Sequence, residues 1–154
     1  MKTSPASSLL LAAALAILPL ASYASAAGTE SYSKLDPCAL IAPAHVEKIL
    51  GELKGAPKAN TGIQQEKECD YTTMTGAWLK VRLYSSERWG MQKGIVSEMN
   101  PTTLEGLGDE AFSVKQGTSH EIYVRKGALI LEVTSTLGPE LTKKFAEAAA
   151  KQLP

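Results

Sequence analysis

Two cysteines, Cys38 and Cys69, constrain this chain more than any other residues, because the 154-residue sequence has no others. What they do depends on where the chain goes. Residues 1–26 have the layout of a secretory signal. Lys2 makes a short basic start, residues 9–20 are an apolar run of Leu, Ala and Ile broken by Pro19, and Ala24-Ser25-Ala26 supplies the small-x-small cleavage pattern. A lasting anchor takes about 20 apolar residues, more than this run has. No second run of that length follows, and no cysteine stands directly after the run, at the cleavage site, to carry a lipid. The expected protein is therefore exported, periplasmic or extracellular, with no membrane anchor once the signal is cleaved.

Export settles how the cysteines read. Outside the cytosol paired thiols are normally oxidised, and two cysteines allow one connectivity. A Cys38–Cys69 bridge closes a loop of about 32 residues and contributes about 3.7 kcal/mol in the chain-entropy model. A reactive or metal-binding pair has no support from spacing: there is no C-x-x-C, and neither histidine lies near a cysteine.

Cleavage leaves about 128 residues, one domain's worth. Residues 27–34 are small and polar and read as a flexible lead-in, and 35–154 as a single domain. Losing Lys2 leaves 15 basic against 16 acidic residues, with no basic block. That balance argues against nucleic acid, whose phosphates demand clustered positive charge.

Pro43 opens a helix in which Val46, Ile49 and Leu50 share a face and Gly51 stops it. Residues 52–62 carry Gly, Pro, Lys and Asn without period and read as a loop. A strand is predicted over 67–74. The clearest strand covers 77–84, where Leu79, Val81 and Leu83 alternate with Trp78, Lys80, Arg82 and Tyr84. Ser86 is placed to cap a helix over 87–99 with Trp89, Val96 and Met99 on one side, although Gly90 and Gly94 each cost about 1 kcal/mol relative to Ala. A glycine-punctuated turn, Gly106-Leu107-Gly108-Asp109-Glu110, leads to a strand over 111–115. Residues 120–126 and 128–135 form a hairpin about Lys126-Gly127. In the register that pairs Arg125 with Ala128, Glu121 stands opposite Glu132. Gly138-Pro139 starts a last helix with Leu141, Phe145, Ala148 and Ala149 inward. The expected architecture is α+β and two-layered: one mainly antiparallel sheet of about five strands, helices packed on one face, in the order α-β-β-α-β-β-β-α.

With Asp36-Pro37-Cys38, the Ala-Pro-x-x-Val-x-x-Ile-Leu-Gly helix, Cys69-Asp70-Tyr71 and Gly106-Leu107-Gly108-Asp109-Glu110-Ala111 in place, the chain resembles a group of small exported bacterial domains of unknown function, many of them actinobacterial lipoproteins. The resemblance implies an exported, non-catalytic domain with a disulfide, and it hands over no site residues. The lipidated cysteine of that group is missing here.

Chemistry-bearing motifs are few. His45 and His120 fall in different elements with no nucleophile signature beside them. No metal site or cofactor is expected. The Gly-Leu-Gly-Asp-Glu stretch lacks the Lys-Ser/Thr ending of a phosphate loop, and its acids would repel phosphate. The candidate binding face is the outer side of the sheet, with Trp78, Lys80, Arg82, Tyr84, Tyr123 and Arg125, residue types that anchor interfaces. The expected function is a non-catalytic binding domain engaging an envelope or secreted protein, or a small ligand. The alternative is a small exported hydrolase or isomerase using His45 or His120 in a cleft.

Overall fold

Leu79, Val81 and Leu83 are fully buried along one face of their strand, while Trp78, Lys80 and Arg82 stay half-buried on the other. This strand organises the sheet in the computed structural model, which describes Tyr32 and residues 34–62 and 66–154. The signal read over 1–26 and most of the lead-in read over 27–34 lie outside the described residues.

A short 3-10 turn, Pro37–Ala39, precedes α1 (Pro43–Leu50). Three strands follow, β1 (Lys58–Thr61), β2 (Lys67–Thr72) and β3 (Trp78–Ser85). Helix α2 (Trp89–Val96) is flanked by single 3-10 turns at Ser86–Arg88 and Ser97–Met99. Then come β4 (Thr102–Thr103), β5 (Glu110–Gln116), β6 (Ser119–Lys126), β7 (Leu129–Ser135) and α3 (Pro139–Ala150). All strands join one antiparallel sheet in the order β1-β2-β3-β7-β6-β5-β4.

The α+β class stands, but the expected sheet of about five strands is corrected to seven among the described residues. The two additions are its edges. All four residues of β1 are exposed, so no apolar alternation marks it within what reads as a loop, and backbone pairing to β2 makes it a strand. Strand β4 is two threonines, too short for any period. The helices are not all on one face either. Val46 of α1 and Phe145, Ala146 and Ala149 of α3 join the main core against Leu79, Val81, Leu83, Leu131 and Val133. Trp89 and Val96 of α2 instead pack on the opposite side with Tyr84, Phe112, Val114, Tyr123 and Ile130. On α3 the buried stripe is Thr142, Phe145, Ala146 and Ala149; Leu141 and Ala148 are only half-buried.

Strand β7 sits at the centre with all seven residues buried, because both its faces are covered. The hairpin register differs from expectation by two residues. Arg125 pairs with Ile130 and Lys126 with Leu129, around Gly127 in the left-handed region at φ 56°. Side chains alternate with period two, so a two-residue shift leaves every residue on its expected face and changes only its neighbours. Glu132 therefore faces Tyr123 on β6 and Arg82 on β3, and the expected Glu121–Glu132 opposition disappears.

The disulfide is present. Cys38 and Cys69 are bonded with Cα atoms 5.1 Å apart, tying the turn before α1 to β2. Around it, Asp36 accepts the Cys38 backbone N–H at 2.9 Å, and the Tyr71 hydroxyl donates to the Ile41 carbonyl at 2.8 Å. Burial, with the negative charge of Asp36 behind it, pushes the Tyr71 hydroxyl up to about 12.

The Gly-Leu-Gly-Asp-Glu turn latches the β6–β7 hairpin. Asp109 donates its backbone N–H to the Arg125 carbonyl at 2.8 Å and accepts the Gly127 N–H on its carboxylate at 2.8 Å. Gly108, at φ 67°, is wedged under that contact: a Cβ there would lie 2.5 Å from the Arg125 carbonyl oxygen. At Gly106, with φ 73°, the same position is open space. Gly108→Ala is therefore expected to cost roughly 2–3 kcal/mol through the clash and the left-handed backbone, and Gly106→Ala roughly 1 kcal/mol through the backbone alone. Urea unfolding of both variants checks the difference; equal losses would contradict the close approach.

Candidate functional site

Helix α2 covers only part of the outer sheet face. Beside it the sheet stays open as a cavity of about 340 Å³, walled by Ile95, Val96 and Met99 from the α2 segment, with Gln92 at its rim. The sheet contributes Trp78, Lys80 and Arg82 from β3, Gln116 from β5, Ser119, Glu121 and Tyr123 from β6, and Glu132 and Thr134 from β7. This placement follows from alternation: every second residue of β3, β6 and β7 points away from the α1–α3 core.

Four of the six residues expected on the binding face, Trp78, Lys80, Arg82 and Tyr123, meet in this cavity. The other two do not. Tyr84 is buried beside Trp89, its ring under the Arg88 guanidinium at 5.0 Å and its hydroxyl donating to Glu132 at 3.2 Å. Arg125 lies outside the cavity, 3.4 Å from Asp109 and 3.6 Å from Glu110. Glu121 and Glu132 were legible on the face but not as site residues, because their importance depends on what is opposite them. The wall from α2 had a weak signal, since Ile95 sits off the helix's apolar side and is 56% exposed.

The floor is an ion-pair network. Arg82 donates to Glu132 at 2.8 Å, and its Nε lies 3.4 Å from Glu68 and 3.8 Å from Glu66. Lys80 stands 2.8 Å from Glu68 and 3.6 Å from Asp70, and Arg88 pairs with Glu66. Burial lifts the Glu132 carboxyl above the usual carboxylate range; Arg82 pulls it down, and the charge of Glu121 adds to the lift. Glu68 goes the other way. Burial alone would raise it, but the hydrogen bond from Lys80 and the charge of Arg82 outweigh that and hold it low. Tyr123 is raised chiefly by burial, with Glu132 and its hydrogen bond to Glu121 contributing.

The ion-pair network holds four carboxylates (Glu66, Glu68, Asp70 and Glu132) and three cations (Lys80, Arg82 and Arg88), with Glu121 beside it in the cavity lining. Among the described residues Glu121 forms no ion pair; its Oε2 accepts the Tyr123 hydroxyl at 2.6 Å. No group of three or more His, Cys, Asp or Glu among them is arranged to hold a metal ion, and no described helix is long and apolar enough to cross a membrane. His45 is exposed on α1 with its ring edge-on to Phe145 at 6.0 Å, and His120 is half-buried at the start of β6. Neither histidine lines the cavity.

Fold and cavity together define a disulfide-bonded α+β domain with an open pocket on its sheet. No family model matches the chain, and no curated protein matches its sequence. Among solved structures it is similar to a GTP binding regulator from Thermotoga maritima, at 14% identity and a TM-score of 0.46, over 66% of this chain and 78% of that one. Likeness of that degree leaves the functional reading to the residues themselves.

Proposed function

We propose that this domain is an exported, non-catalytic binding module whose small-molecule ligand seats in the outer-face cavity. The cavity carries the reading: a concavity of about 340 Å³, with an apolar wall on the α2 side and a largely polar and charged floor from the sheet, is of the size of a small-ligand site. Its concave shape favours a small ligand over a flat protein partner. Export is supported by the leader pattern over residues 1–26 and by the disulfide, which suits an oxidising compartment. The hydrolase alternative needs His45 or His120 beside a carboxylate in a cleft; both lie off the cavity, and among the described residues neither is paired with an acid.

The test is amide and indole NMR of the ¹⁵N-labelled protein against a small-molecule extract of the producing cell's envelope fraction. Shifts are expected to cluster on the Trp78 indole and on Ser119, Glu121 and Tyr123. Shifts confined to the β1 edge or to the Asp109–Arg125 corner, or none, would refute this placement.

A further inference from the structure

Resting on that reading, we infer that the cavity takes a small organic cation, a primary ammonium or guanidinium on a short apolar stem, with its charge on Glu121. Glu121 is only 9% exposed and lines the cavity, yet it lacks a cationic partner among the described residues. A buried carboxylate in that position is costly unless something pairs with it. Its Oε2 is occupied by the Tyr123 hydroxyl; among the described residues no donor reaches Oε1, which is open to the cavity rather than sealed from solvent. Both of the cavity's own cations already stand in ion pairs, Arg82 with Glu132, Glu68 and Glu66 and Lys80 with Glu68 and Asp70, although the Arg82 Nε–H is left without a hydrogen bond. The surrounding ion-pair network has four carboxylates to three cations, and Glu121 beside it adds a fifth negative group, so the local balance favours positive charge.

The remaining surfaces suit the rest of such a molecule. Trp78 is half-buried in the cavity lining and supplies an aromatic ring of the kind that attracts cations. Ile95 and Met99 offer an apolar wall for a stem of a few carbons, and the volume stands near the lower end of the ~300–1,000 Å³ found for ligand pockets. An anion would meet Glu121 and Glu132 and would have to compete with Glu132 and Glu68 for Arg82 and Lys80, with only the Arg82 Nε–H lacking a hydrogen bond. A free amine and a lysine side chain on a peptide share this chemistry.

Isothermal titration of the folded protein with 1-aminohexane, 1-hexanol, hexanoate and Nα-acetyl-lysine N-methylamide tests it. The amine is expected to bind at least ten times more tightly than the alcohol or the acid. Binding of the lysine derivative alone would identify the source as peptide; tighter binding of aminohexane would identify a free amine. Glu121→Gln keeps an oxygen for the Tyr123 hydroxyl and should weaken amine binding roughly 10- to 100-fold. Circular dichroism of that variant checks that it is folded, and Glu121→Asp should recover part of the affinity. Arg125→Ala, outside the cavity, should leave affinity unchanged. Equal or tighter binding of hexanoate, no binding by either amine, or an unaltered affinity in folded Glu121→Gln would overturn the inference. Cavity-centred NMR shifts from a neutral or anionic molecule would sink the cation while leaving the binding module standing; no cavity shifts from any source would sink both.

Discussion

The Cys38→Ala/Cys69→Ala double variant is expected to lose about 3.7 kcal/mol of stability, the loop-closure entropy of a 32-residue ring restored to the unfolded chain. For a domain whose total is roughly 5–15 kcal/mol, that lowers the melting temperature by roughly 10–20 °C. The loss should be local in character. Helix α1 has eight residues and no side-chain cap at Ala42, far short of what holds a helix in isolation. It stays in place through Val46, through Ile41 and Leu40 ahead of it, and through the bridge to β2. Hydrogen exchange should therefore rise over residues 36–50 well before it rises in β3, β6 and β7. The Tyr71 hydroxyl still holds the Ile41 carbonyl in the variant, so the sheet and α3 should remain folded. Thermal melts of the variant and of the reduced wild type should coincide, and a shift under about 3 °C would show that the bridge carries little of the stability.

Arg82→Ala is expected to cost about 3–5 kcal/mol at neutral pH, because it leaves Glu132 buried without its main counter-charge. The cost should depend on pH in a definite direction. The folded-state pKa of Glu132 lies above its ordinary value of 4.5 through burial, against the pull of Arg82. A carboxyl raised in this way contributes stability below its unfolded pKa and loses it as pH rises through the folded value. Without Arg82 that folded value climbs further. Glu68 works in the same sense: its lowered pKa means its pairing stabilises the wild type above about pH 4.5 and fades as pH falls through the folded value. The gap between wild type and Arg82→Ala should thus be narrow near pH 4 and widest near pH 7. Replacing both partners, Arg82→Met with Glu132→Gln, should recover most of the loss, since a neutral pair of similar volume has no charge to desolvate. Denaturant unfolding at several pH values checks both statements, and a gap that widens towards acid would contradict the burial of Glu132.

Much of the fold was legible, and the reason differs by element. Leu79, Val81 and Leu83 revealed β3 because one of its faces is dry and the other wet. Trp89, Val96 and Met99 marked the α2 segment despite two glycines, since all three pack against one surface. Strand β1 was invisible because Lys58-Ala59-Asn60-Thr61 is exposed throughout and held by backbone pairing to β2, which leaves no pattern in side chains. The hairpin register failed for a related reason: shifting by two residues preserves every apolar match, so hydrophobicity could not choose between the two pairings. The choice fell to Gly127 and to the Asp109 carboxylate that receives its N–H.

The candidate site divides along the same line. By itself the sequence determined which residues share the outer face, because alternation is a local property of each strand, and it determined the cross-link, because two cysteines have one way to pair. Tertiary structure alone decided that Arg82 lies between Glu68 and Glu132, that Tyr84 is covered and Arg125 drawn aside, and that α2 crosses to the outer face to wall a cavity. Those outcomes depend on β3 pairing with β7, some 50 residues away along the chain. No window of local pattern extends that far, so the absence of a cationic partner for Glu121 among the described residues could only be found once the strands were side by side.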